Sequence, residues 1–122
     1  MKFHLARAEG RNVFTGYGQG YVAINDQRHE HSLIVAPDQP VETWGADSFD
    51  ALTPAHFAAL LALKPEIVIF GTGEHLRFPR PELTRPLAEA AVGFEAMDTK
   101  AACRTYNILT AEGRVVVAAI LL

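Results

Sequence analysis

Residues 98–122, DTKAACRTYNILTAEGRVVVAAILL, contain the clearest fold signals of the chain. Asp98 or Thr99 can cap a helix at its start, and Gly113 stands where a helix commonly ends. Between them, apolar residues at the i, i+4 and i+7 spacing mark one helical face: Ala102, Tyr106 and Leu109. The unbroken apolar run over residues 115–122 predicts a strand at the centre of a sheet, whose direction the residues leave open.

Upstream of this stretch, strand and helix patterns alternate. Thr53 as N-cap and Pro54 at the first helical position predict a helix that ends at Lys64-Pro65. Residues 66–70 predict a buried strand, and residues 81–91 resume helical spacing before a short strand over residues 94–97. This alternation predicts a sheet with helices packed against it.

The first third of the chain has the pattern of short strands and turns. Residues 13–17 and 21–24 are rich in β-formers, and Asn25-Asp26 is a natural tight turn before a further strand begins at Gln27. We therefore expect hairpins here. Two more short strands are predicted over residues 31–36 and 41–44, on either side of a proline-rich turn.

Composition indicates an ordinary domain of average hydrophobicity. With 122 residues, 49% of them hydrophobic and 20% charged, we expect a single domain over residues 1–122. The net charge of −3 argues against a general nucleic-acid partner. The single cysteine suits a reducing compartment, residues 1–10 lack the apolar core of a signal peptide, and no apolar run is long enough for a transmembrane segment. We expect a cytoplasmic location.

An ordered set of motifs resembles a known family. These are Phe70-Gly71-Thr72-Gly73, residues 94–99, residues 101–109 and Glu112-Gly113-Arg114, together with the Gly16-Tyr17-Gly18 and Trp44 regions. They resemble the small domain of unknown function shared with mitochondrial respiratory complex I assembly factor 3. The resemblance implies an α/β (α+β) fold in three layers and, for the mitochondrial relatives, a non-enzymatic assembly role through a protein partner. It supplies no catalytic residues to carry over, and we predict no cofactor.

A ligand or partner cleft is predicted beside the glycine loop. Gly71-Thr72-Gly73 follows a buried strand, and the end of a parallel strand is where α/β proteins often bind ligands. If the strands over residues 66–70 and 94–97 are parallel neighbours, this loop faces the helix that begins at Thr99, whose N-terminus favours anions. The candidate residues of the cleft are Gly71, Thr72, Gly73, Asp98, Thr99, Arg104, Thr105 and Asn107. A purely structural loop is the alternative interpretation, because no full phosphate-binding or dinucleotide motif is present.

Cysteine and histidine residues suggest two further kinds of site, a reactive thiol and a metal site. Cys103 lies near the start of the last helix and could be a reactive thiol with His75 as base, or simply a small buried residue. His29 and His31 could share a strand face, but no third metal ligand is evident and a solvated edge fits better. We therefore predict no metal site.

Thr105 and Asn107 are unusual inside a helix because their side chains compete for backbone hydrogen bonds. Glu112 and Arg114 could pair with Asn107 or Arg104 and so attach the helix to the last strand. Alternatively, Arg104 and Asn107 face a pocket or a partner.

The leading hypothesis is a non-enzymatic binding or assembly module, which engages a protein partner through this cleft or an adjacent apolar surface and assists assembly of a respiratory or membrane complex. The alternative is a small enzyme, or a sensor of a small molecule or anion, that uses the same cleft.

Overall fold

Two β-sheets and three α-helices are built from residues 10–122, the part of the chain that the computed structural model describes. The interpretation of the N-terminus as lacking a signal peptide concerns residues that lie almost wholly outside this range. The described residues have the α+β fold in three layers that the sequence predicts.

The smaller sheet contains three antiparallel strands in sequence order: β1 (Phe14–Gly18), β2 (Tyr21–Ile24) and β3 (Gln27–His29). The turn between β2 and β3 is made by Asn25 and Asp26, both left-handed with φ of 52° and 68°. Asn and Asp tolerate this conformation, which matches the twist of a tight hairpin. The predicted hairpins are confirmed.

The larger sheet is mixed, with strand order β5-β4-β8-β6-β7. Its strands are β4 (Leu33–Val35), β5 (Glu42–Thr43), β6 (Ile67–Gly71), β7 (Gly93–Met97) and β8 (Val116–Ile120). β8 lies at the centre, as predicted. It runs parallel to β6 and antiparallel to β4, which settles the direction that the sequence left open. β6 and β7 are parallel neighbours, so their carboxyl ends lie at one edge of the sheet.

Three helices pack on the larger sheet: α1 (Pro54–Ala58), α2 (Pro81–Glu89) and α3 (Thr99–Ala111). α1 begins after Thr53, as predicted, but it tightens into 3₁₀ turns over Ala59–Leu63. α2 is two residues shorter than predicted because Ala91 is left-handed, with φ of 58°, and turns the chain into β7.

The two faces of β8 contribute to different cores. Val117 and Ala119 pack on one face with Phe57, Phe70 and Trp44, beneath α1 and α2. The opposite face packs against α3 and the small sheet, through the following residues of β8: Val116, Ala118 and Ile120. Because alternate strand residues point to opposite faces, this strand is apolar at every position.

The predicted attachment of α3 through Glu112 and Arg114 is wrong. The Arg114 Nε lies 3.2 Å from Glu66 Oε2, and Glu66 Oε1 accepts a hydrogen bond from Val115 N–H. These two hydrogen bonds lower the pKa of Glu66. Arg114 therefore joins the start of β8 to the start of β6, because the chain has already left α3 when it reaches this residue.

Candidate functional site

The Gly71-Thr72-Gly73 loop and the start of α3 meet at the shared carboxyl edge of β6 and β7. Thr72 N–H donates to Met97 O at 2.9 Å, and Thr99 N–H donates to Gly73 O at 2.9 Å. The two segments that the sequence placed opposite each other are therefore joined by backbone hydrogen bonds.

Thr99 closes this junction with its side chain. Its buried hydroxyl accepts from Gly73 N–H at 2.9 Å and donates to Leu121 O at 2.6 Å. A Cβ on Gly71 would lie 2.8 Å from Ile120 Cδ1 and 3.0 Å from Thr99 Oγ1, so a larger residue here would have to displace these buried side chains. Asp98 caps α3 by accepting from Ala101 N–H at 2.9 Å. The junction is packed, and the open space lies beside it.

That open space is a cleft of about 440 Å³ between the junction and the turn from β1 to β2. Its walls are formed by Tyr17, Gly18, Gln19, Gly20, Gly73, Glu74, Thr99, Lys100 and Leu122. Glu74 and Lys100 are exposed, and neither makes an ion pair with another residue of the described range 10–122. A cleft of this size can hold a small polar molecule or a side chain of a partner.

The polar residues further along α3 bind the small sheet. Asn107 accepts from Phe14 N–H at 2.9 Å and donates to Phe14 O at 2.8 Å, so it completes the hydrogen bonding of β1. Arg104 donates to the Tyr17 hydroxyl at 2.8 Å. Thr105 is half-buried on the same helix. Of the predicted cleft residues, Gly73 and Thr99 line the open space, whereas Asn107 has a structural role.

Cys103 has the environment of a buried core residue. It is fully buried, and this burial raises the pKa of its thiol to about 12, so the thiol is neutral at physiological pH. The side chain of His75 is exposed on the surface, and its backbone carbonyl accepts from Thr72 Oγ1 at 2.6 Å. A neutral, inaccessible thiol is a poor nucleophile, so the structure gives no support to the reactive pair.

His29 and His31 both line a small surface cavity of about 90 Å³. Within residues 10–122, no group of three His, Cys, Asp or Glu side chains is placed to hold a metal ion. His29 is half-buried at the end of β3, and His31 is exposed beyond it.

Sequence reasoning missed two exposed apolar side chains on the loop between β6 and α2. Leu76 is 49% exposed and Phe78 is 76% exposed. The loop backbone is nevertheless fixed, because Thr72 Oγ1 also accepts from Arg77 N–H at 3.2 Å. The Arg77 guanidinium lies 4.0 Å from the centre of the Phe49 ring. A signal was available in the sequence: apolar residues in a segment bounded by proline, where no strand or helix pattern could bury them.

None of the helices in the described part of the chain is both long and apolar enough to cross a membrane.

Solved structures of other small α+β domains have the same fold. A crystal structure of a Bordetella parapertussis protein is 43% identical, with a TM-score of 0.89 over 94% of this chain and 98% of that chain. The solution structure of a Bordetella pertussis protein, described as an Mth938-like domain, is 38% identical with a TM-score of 0.82, over 99% of this chain and 92% of that chain.

The chain belongs to the family described as "Protein of unknown function (DUF498/DUF598)", whose model matches residues 14–121. The family resemblance is thus confirmed. A relative from Francisella tularensis, the 13 kDa major membrane protein, is 32% identical over 83% of both chains. The Bos taurus NADH dehydrogenase [ubiquinone] 1 alpha subcomplex assembly factor 3 is 35% identical over 84% of this chain. The match spans about half of that assembly factor's length, 56%.

Proposed function

We propose that this chain is a protein-binding module that assists the assembly of a multisubunit complex, with Leu76 and Phe78 as its principal contacts. The observation that carries the proposal is the exposure of these two side chains, 49% and 76%, on a loop whose backbone is held in place. Partner-facing apolar side chains on a fixed loop bind with little loss of conformational entropy.

The loop is anchored on both sides of Leu76. On one side, Thr72 Oγ1 donates to His75 O; on the other, Arg77 stacks on Phe49 and lies 3.4 Å from Asp50 Oδ1. Fully burying a large apolar side chain stabilises a complex by about 1.5–3 kcal/mol. Phe78 alone could therefore contribute a tenfold or larger change in affinity, an order-of-magnitude expectation from the same burial energy.

The relatives support the assembly role. Proteins from cattle and human that are 35% and 31% identical bear the name NADH dehydrogenase [ubiquinone] 1 alpha subcomplex assembly factor 3. Their names suggest that the partner is a subunit or assembly factor of a respiratory complex. The buried, neutral Cys103 thiol is consistent with a role that requires no nucleophile.

A site-specific photo-crosslinking experiment tests the proposal. A photoreactive amino acid is placed at position 78 in native cells and, as a matched control, at position 108, because Ile108 is 60% exposed on α3. Partners captured at position 78 are identified by mass spectrometry, purified and titrated against the wild-type chain. We expect a respiratory-complex subunit or assembly factor at position 78 and not at position 108.

The titration is repeated with Phe78→Ser and with Ile108→Ser. We expect Phe78→Ser to weaken binding at least tenfold, whereas Ile108→Ser leaves it unchanged. Equal effects of the two substitutions, or the same cross-linked proteins at both positions, would refute the role of the loop. Capture of only unrelated enzymes would refute the assembly role.

The open cleft favours a second candidate function, the binding of a small polar molecule between Glu74 and Lys100. Screening metabolite mixtures by ligand-observed NMR against the wild-type chain and a Lys100→Gln variant tests it. A ligand that binds the wild type and is lost in the variant would support a sensor, and an absence of binders would remove this candidate.

A further inference from the structure

The outer edge of β7 is an open strand edge within the described range. Among residues 10–122, β7 is the last strand of the larger sheet and pairs with β6 alone, in an unbroken register from Ile67↔Gly93 to Gly71↔Met97. The strand at the opposite edge, β5, has two residues, whereas β7 has five. Open edges of this length can pair with another extended chain.

The hydrogen bonds to β6 show which backbone groups of β7 point outward. Gly93 N–H donates to Glu66 O at 3.0 Å, and Met97 O accepts from Thr72 N–H at 2.9 Å. Because alternate residues of a strand direct their backbone groups to opposite sides, Glu95 also faces β6, and Phe94 and Ala96 face away. Their N–H and C=O groups have no hydrogen-bond partner within residues 10–122.

The side chain of Glu95 decides what can pair with this edge. Glu95 lies in the middle of β7, is exposed and makes no ion pair within the described residues. If a second copy paired antiparallel about Glu95, Phe94 would stand opposite Ala96 of the other copy and the two Glu95 carboxylates would face each other. Like charges directly opposite destabilise strand pairing, whereas opposite charges stabilise it.

We infer that the outer edge of β7 accepts an extended segment of a partner protein that places Lys or Arg opposite Glu95. The segment exchanges hydrogen bonds with the free N–H and C=O groups of Phe94 and Ala96, which supply affinity, and the charge pair supplies selectivity. This inference goes beyond the role proposed for Leu76 and Phe78 and uses different residues.

Two synthetic peptides that differ at their centre test the inference: Thr-Val-Lys-Val-Thr and Thr-Val-Glu-Val-Thr, both acetylated and amidated. Each is titrated into the ¹⁵N-labelled full chain, and the shifts and solvent exchange of the Phe94 and Ala96 amide protons are followed by NMR. We expect the lysine peptide to shift and protect both amides and to bind roughly fivefold more tightly than the glutamate peptide.

The Glu95→Lys variant should reverse this preference, and because Glu95 is exposed the variant is expected to fold. The double variant Leu76→Ser/Phe78→Ser should bind the lysine peptide as the wild type does, so a failure of this inference is distinguishable from a failure of the loop proposal. The inference is overturned if neither peptide affects the two amides at millimolar concentration, or if the preference between the peptides does not depend on the charge at position 95. It is also overturned if the Glu95→Gln variant dimerises without any change in its preference between the two peptides, because Glu95 would then serve only to prevent pairing between copies.

Discussion

At the scale of single residues, Asn107 is the polar side chain that the fold depends on most directly. It is buried in α3, and its amide satisfies both the N–H and the C=O of Phe14 at 2.9 and 2.8 Å. Two backbone groups of β1 thus obtain partners from a helix instead of from a neighbouring strand. An amide is suited to this position because it offers a donor and an acceptor side by side.

Replacing Asn107 with Ala should destabilise the protein strongly. The N–H and C=O of Phe14 would remain buried without partners, and each unsatisfied group costs about 1–3 kcal/mol. We expect the free energy of unfolding in urea to fall by roughly 2–4 kcal/mol, an estimate that allows for partial relaxation.

The matched control for this substitution is Thr105→Ala, a polar residue of the same helix that is half-buried. It should change the free energy of unfolding by less than about 1 kcal/mol. Similar losses in the two variants would show that Asn107 does not carry the attachment of β1.

At the scale of elements, one hydroxyl joins α3 to two strands. Thr99 Oγ1 accepts from Gly73 N–H beyond β6 and donates to Leu121 O beyond β8. Gly71 lacks the Cβ that would hold α3 away from these strands. In the sequence the glycine loop resembles a ligand-binding loop, but at Gly71 it allows close packing of α3 on the sheet. The open cleft begins at Gly73 and Glu74.

Thr99→Val tests this junction because valine has nearly the same shape and no hydroxyl. Gly73 N–H and Leu121 O would lose their partners, and we expect the midpoint of urea unfolding to fall by the equivalent of about 2–4 kcal/mol. Thr99→Ser keeps the hydroxyl and should cost less than about 1.5 kcal/mol. If serine were as destabilising as valine, the methyl group rather than the hydrogen bonds would hold α3.

At the scale of the whole molecule, one sheet couples two cores. Trp44 lies in the core between the larger sheet and helices α1 and α2, and Cys103, a residue of α3, lies in the core on the opposite face of that sheet. β8 belongs to both, since its alternate side chains point to opposite faces. Loss of either layer would expose the apolar face of β8 that it covers and weaken the strand on which the other layer packs, which predicts cooperative unfolding.

Trp44 fluorescence and Cys103 labelling report on the two cores separately. In a urea titration near neutral pH, we expect the fluorescence change and the onset of rapid thiol labelling to share one midpoint. Folded protein should react slowly, because burial both covers the thiol and raises its pKa to about 12. Rapid labelling well below the fluorescence midpoint would show that the α3 layer opens independently.

Much of the fold follows from local rules. Asp98, Gly113 and the apolar run after it specify α3 and β8, and the Asn25-Asp26 turn specifies the hairpin between β2 and β3. These residues act through capping, backbone conformation and side-chain period, which depend on near neighbours in sequence. Helical spacing continues through Ala90 and Ala91 and so predicts an end of α2 two residues too late, whereas the left-handed Ala91 is set by the approach to β7.

Local patterns in the amino-acid sequence predict the elements, their order and the central place of β8, and the motifs indicate the family. The folded molecule was needed to show that β8 runs parallel to β6, that Arg114 pairs with Glu66 and that Asn107 binds Phe14. It was also needed to show that Leu76 and Phe78 are exposed and that, within residues 10–122, the outer edge of β7 is open. Pairing partners, exposure and free strand edges depend on residues far apart in sequence, and no local pattern specifies which distant groups will meet.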